Sequence, residues 1–231
     1  MTALISAELL RIRTLRATRY VVVGMLALAV MLAVFPPSGP RSALVESVRS
    51  VTFTFVLAAA YIAATQLGTE FKRGTAALTY LTHPNRRTVT TARVLTYGLI
   101  GGLLAALAAI VALAAGVVAA HVQANSTAVG VQAVARVIGG AAFAGATLGG
   151  FGARVGTITR EPILATLAIV IPALIAAPLP AVAPYLPFGL AEQLLGGADK
   201  VAAPLAMILL LAYLAIIAVF VRQWALPRDL T

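Results

Sequence analysis

The chain has 231 residues, 61% of them apolar and only 10% charged, with a formal net charge of +10 and a mean hydropathy of +1.00. A soluble domain carries about 25% charged residues, so this composition excludes one and defines an integral membrane protein. There is no cysteine, which excludes a disulfide framework and a thiolate metal site.

Residues 1–19 read as a helix on which Ile5, Leu9 and Ile12 share one face and Arg16 extends the stripe. The expected place of this helix is the membrane interface, its arginine stems buried and their heads among the phosphates of membrane lipids. A basic tail without fixed structure is the alternative. A span needs about 20 mainly apolar residues. That ruler marks six spans: Tyr20 to Phe35, Val51 to Gly68, Val94 to Ala120, Ala133 to Gly152, Ile163 to Leu179 and Ala202 to Val221. Period-two alternation is absent, so a transmembrane barrel is excluded. The expected fold is all-α, a single transmembrane domain over residues 1–231 with six transmembrane helices.

Basic residues set the orientation. Arg11, Arg13, Arg16 and Arg19 precede the first span; Lys72, Arg73, Arg86, Arg87 and Arg93 lie between the second and third; Arg154 and Arg160 follow the fourth; Arg222 and Arg228 follow the sixth. Only Arg41, Arg49, Arg136 and Lys200 fall on the other side. Short Lys/Arg-rich loops stay in the cytoplasm, so both termini are expected inside a cell membrane crossed many times. Because the charge is spread over several membrane-flanking segments, no nucleic-acid partner is expected.

The second span is the most polar of the early ones. Polar residues in lipid face a bundle interior or a wet cavity, which makes Thr54, Thr65 and Gln66 candidates for a substrate path. For the threonines, back-bonding to the carbonyls of their own helix is the favoured reading. In the third and fourth spans, Gly98 and Gly102, Gly145 and Gly149, and Gly152 and Gly156 are each four apart, a spacing that lets helix backbones approach closely. The run Gly149 to Thr157 lacks the Gly-Lys-Ser/Thr ending of a phosphate-binding loop.

Residues 70–93 form the one long polar segment between apolar runs. Gly74 ends one helix, Thr75 is a candidate N-cap for the next, and Pro84-Asn85 stops it, leaving a helix of about two turns over residues 76–82. A helix that short is not stable alone in water and needs something to pack against. Further on, Pro172, Pro178 and Pro180 interrupt the fifth span and its exit. Residues 181–200 are too apolar for an open loop and too broken to span, as in a re-entrant hairpin on the outer face. Arg222 and Trp224 then anchor the chain at the inner interface.

Catalytic chemistry is not visible. His83 and His121 fall in loops on opposite sides of the membrane, no paired carboxylates sit at helical spacing within a span, and no serine has a base beside it. The chain is not expected to be an enzyme or to hold a cofactor or metal.

Glu70-Phe71-Lys72-Arg73-Gly74-Thr75, then Leu81, then Pro84-Asn85-Arg86, then Arg93 at the head of the next span, resembles the cytoplasmic loop of ABC-2 type permeases, the membrane subunits of a class of ABC transporters. The basic N-terminal helix, the six spans and the hairpin before the last span extend the likeness over the chain; Arg93 stands where many members have lysine. The resemblance implies a permease subunit that forms a substrate path with a second copy or a related permease. A separate cytoplasmic ABC ATPase, which carries the ATP and Mg, drives it. It also implies a coupling helix between spans two and three, with Glu70, Thr75, Leu78, Tyr80, Leu81 and Arg86 as the ATPase-coupling residues, and export of an amphipathic lipid, peptide or drug-like molecule. The rival reading is a non-transporting immunity or assembly factor that binds a partner protein. For Glu70 the simpler alternative is a surface pair with Lys72 or Arg73; for Leu78 and Leu81 it is immersion in the lipid interface.

Overall fold

The computed structural model describes residues 41–82, 85–122, 131–176, 179, 181–196 and 200–225, with Tyr20, Val23, Gly24, Ala27 and Met31. In chain order the elements are α1 (Arg41–Lys72), α2 (Thr75–Thr82), α3 (Arg86–Val122), α4 (Val131–Thr159), α5 (Pro162–Ala176), a 3-10 turn (Ala183–Tyr185), α6 (Pro187–Leu194), α7 (Ala203–Phe220) and a closing π turn (Val221–Ala225). No strand occurs among the described residues. Among the described residues, four helices are long and apolar enough to cross a membrane: Val48–Lys72, Arg86–Val118, Val131–Thr159 and Ala203–Gln223.

The other two spans expected from the sequence fare differently. Of Tyr20 to Phe35 only scattered positions are described, all helical, and the interfacial helix at residues 1–19 lies outside the described residues. The fifth run folds as a helix of 15 residues. At about 1.5 Å per residue these described residues cover roughly 22 Å of a hydrocarbon core of about 30 Å. Pro172 sits inside that helix.

α4 is the hub, touching α1, α3, α5, α6 and α7. Lipid tails are as apolar as leucine, so helices in a membrane associate by close backbone contact rather than by hydrophobic drive. Gly101 of α3 and Gly145 of α4 meet so closely that a Cβ on either would collide with the other's carbonyl oxygen. Gly152 does the same against the carbonyl of Ala60 on α1. The core is accordingly built of small residues, among them Ala60, Ala64, Ala105, Ala109, Ala141 and Ala144, closed off by Leu148, Leu190 and Leu210. Leu99, Leu103 and Leu107 on α3, and Ile208, Leu211, Ile216 and Val219 on α7, point outward, as lipid-facing side chains do.

The bundle has two unlike ends. One gathers the end of α1, all of α2, the start of α3 and the ends of α4 and α7. It carries Lys72, Arg73, Arg86, Arg87, Arg93, Arg154, Arg160 and Arg222 against Glu70 and Glu161. At the opposite end the 3-10 turn and α6 bury Pro184, Phe188, Leu190, Ala191 and Leu194. There α6 is tied to α1 by Arg49, whose Nη2 donates to Glu192 Oε1 at 3.3 Å.

Candidate functional site

The site at the basic end begins with the way α1 stops. Gly74 has φ +71°, a left-handed conformation open to glycine without a Cβ penalty, and the N–H groups of Arg73 and Gly74 donate back to Thr69 and Phe71 at 3.0 and 3.1 Å. The chain therefore reverses within two residues and enters α2 at once. Thr75, the N-cap candidate of the sequence, is the first residue of α2. Its hydroxyl donates to the carbonyl oxygen of Glu70 at 3.2 Å, fastening the start of α2 to the last turn of α1. Ala76, 2% exposed, packs inward beneath it. Asn85 caps α3 by accepting from the Thr88 N–H at 3.3 Å.

About two turns into α3, Arg93 reaches the centre of this arrangement. Its Nη2 lies 2.7 Å from Glu70 Oε2, with each side chain only 3% exposed. The same nitrogen is 3.4 Å from Thr79 Oγ1 on α2, and the guanidinium carbon lies 5.9 Å from the centroid of the Tyr80 ring. One cation thus joins α1, α2 and α3. Tyr80 receives a second guanidinium, that of Arg86, at 5.4 Å, within reach of a cation–π attraction. Its ring is also tilted against Phe71, with centroids 6.4 Å apart.

Phe71 carries the contact onward. Arg160 lies over it at 5.6 Å, and beside it Lys72 Nζ meets Glu161 Oε1 at 2.7 Å. Arg160 closes α4 with φ 55°, a left-handed turn uncommon for a residue with a side chain. Gly68 of α1 abuts the backbone of Glu161 and Pro162 at the head of α5. From α2, contact runs through Tyr80 and Phe71 to the α4–α5 junction.

The structure brings Glu70, Tyr80 and Arg86 into one cluster. Thr75 is exposed at its edge, and Leu81 projects outward at 80% exposure. The side chain of Leu78 lies outside the described residues. Glu70 does not form the surface pair with Lys72 or Arg73 that its neighbours offered. Lys72 takes Glu161 instead, and Glu70 is buried with Arg93.

Thr54, Thr65 and Gln66 are strung along α1, Thr54 more than four turns before Glu70 and Gln66 about one turn before it. Thr54 is exposed and donates to the Ser50 carbonyl at 2.9 Å; Thr65 donates to those of Tyr61 and Ile62 at 2.9 and 3.2 Å. Both hydroxyls are satisfied by their own helix, the reading favoured from the sequence. Gln66 is half-buried.

Sequence reasoning missed Arg93 as the partner of Glu70, and with it Thr79, Phe71 and Glu161. The signal available was a lone carboxylate at a membrane boundary, which needs a cation, but several cations lay within reach. Among the described residues no group of acidic and histidine side chains could hold a metal ion. Compared with protein-family models, with curated proteins and with solved structures, the chain matches none.

Proposed function

We propose that the chain is the permease subunit of an ABC-2 type transporter, set in the plasma membrane with six spans and both termini inside. Two such subunits form the substrate path, and each takes its drive from a separate cytoplasmic ATPase that binds ATP and Mg. In this reading α2 is the coupling helix and residues 181–200 form an outer re-entrant segment. The cargo class is an amphipathic lipid, peptide or drug-like molecule moved outward.

The observation that carries the reading is the mounting of α2. A two-turn helix that could not persist alone is clasped at its base by the buried Glu70–Arg93 pair, while Leu81 stands 80% exposed on it. An apolar knob on a firmly rooted short helix suits a socket in another protein. Force on α2 would pass through Arg93 to α1 and α3, and through Tyr80 and Phe71 to the α4–α5 junction. The membrane chain then needs only two packings whose balance the partner's ATP-bound state can shift.

The test is purification of the chain from its own membrane, with identification of what accompanies it. The expected companion is a soluble chain bearing a phosphate-binding loop, present with the wild type and lost with Leu81→Asp. Recovery of the wild type without such a chain, under conditions that keep it folded, would leave the reading without support and favour the non-transporting alternative.

A further inference from the structure

Three arginines from three helices surround a cavity that the coupling cluster does not use. Arg154 of α4, Arg87 and Thr90 of α3, and Arg222 beside Val221 after α7 line a volume of about 250 Å³ at the basic end of the bundle. This is below the ~300 Å³ at which pockets for drug-sized ligands begin, and suits a headgroup. Arg154 is the least exposed of the three arginines: it is half-buried, and its Nε is buried without a hydrogen-bond partner among the described residues. Arg87 and Arg222 are exposed at the rim.

No carboxylate among the described residues answers these charges. The carboxylates whose side chains are described, Glu70, Glu161 and Glu192, are held by Arg93, Lys72 and Arg49 respectively. Three like charges around one small space repel, and a buried guanidinium N–H without an acceptor is costly. An anion with several oxygens relieves both, and the planar fork of arginine matches phosphate geometry. The wall of the cavity includes Ala218, and Ile216, Val219 and Phe220 on the same stretch of α7 are exposed apolar side chains along which acyl chains can lie.

We infer that Arg87, Arg154 and Arg222 form a binding site for the phosphate of an anionic membrane lipid. Arg154 grips the phosphate and the two rim arginines close on it. The site is independent of the transporter reading, since it would hold lipid whether or not α2 meets an ATPase.

The experiment uses the full chain in an uncharged detergent, with bound lipid read by native mass spectrometry and stability by melting temperature. Three probes are titrated: phosphatidylglycerol, zwitterionic phosphatidylcholine, and glycerol 3-phosphate as the headgroup without chains. Phosphatidylglycerol is expected to be retained and to raise the melting temperature, the other two to do neither at the same concentration. Each of Arg87→Gln, Arg154→Gln and Arg222→Gln should weaken retention about fivefold, the worth of one interfacial cation. Arg154→Lys should keep most of it, and Lys200→Gln, at the opposite end, should change nothing. Comparing lipid-free melting temperatures separates loss of binding from loss of fold. Undiminished retention in the triple glutamine variant, or no preference for phosphatidylglycerol over phosphatidylcholine, overturns the site. Equal stabilisation by glycerol 3-phosphate overturns its assignment to a lipid.

Discussion

Glu70 and Arg93 sit 23 positions apart in sequence and 2.7 Å apart in space, Oε2 to Nη2, both almost wholly buried. Taking two charges out of water is expensive, so the pair contributes little net stability over an apolar replacement, but removing one partner strands the other. Glu70→Ala or Arg93→Ala alone is therefore expected to cost about 3–5 kcal/mol. The double change Glu70→Leu/Arg93→Met should cost far less than the sum. Unfolding midpoints in detergent for the cycle of variants measure this, and additive losses would contradict the pairing.

The bridge between Lys72 and Glu161 is of the opposite kind. It is as short, 2.7 Å, but the two side chains are 54% and 32% exposed. Solvent screening leaves such pairs about 0–1 kcal/mol. Either single neutral substitution should fall in that range, and the exchange Lys72→Glu/Glu161→Lys should restore wild-type stability. A loss above about 2 kcal/mol would mean that the pair is shielded in a way its exposure does not indicate.

Helix packing makes a sharp contrast between two glycines of α4. A Cβ at Gly152 would run into the Ala60 carbonyl, whereas one at Gly139 would meet nothing within 4 Å. Gly152→Ala is expected to force α1 and α4 apart at a cost of about 1–3 kcal/mol. Gly139→Ala should be neutral or gain up to about 1 kcal/mol from better helix propensity. Melting temperatures of the two variants check the difference directly, and equal effects would count against this packing.

Much of the bundle was legible because membrane helices announce themselves by length and apolarity, and because Gly74 and Pro84-Asn85 bracket a segment with room for only two turns. The glycine spacing in α4 likewise marked close contact, since only backbone-to-backbone approach makes small residues useful in lipid. The partner of Glu70 was not legible. Lys72, Arg73 and Arg93 are all near the same boundary, and the choice among them depends on how the reversal at Gly74 sets α1 against α3. Nor did the sequence show that Thr54 points outward from the chain, because which face of a helix is covered depends on its neighbours. The three-arginine cavity was out of reach for the same reason: residues 87, 154 and 222 share nothing until three helices converge.

Orientation has a clean assay, because the chain contains no cysteine of its own. Single cysteines placed at Arg73 and at Lys200, both exposed and at opposite ends of the bundle, can be labelled in intact cells with a membrane-impermeant maleimide. The excess of basic residues at the α2 end predicts labelling at position 200 and protection at position 73 until the membrane is opened. The reverse pattern would put α2 outside the cell, beyond the reach of any ATPase.

The most direct test of the central claim is site-specific cross-linking from position 81. A photoreactive residue replacing Leu81 should leave folding intact, since that side chain is 80% exposed. On illumination in the native cell it should join the chain to a soluble protein containing a phosphate-binding loop, in a manner sensitive to nucleotide. Cross-links to lipid alone, or to a partner without a nucleotide site, would contradict the assignment of α2 as the element that receives force from an ATPase.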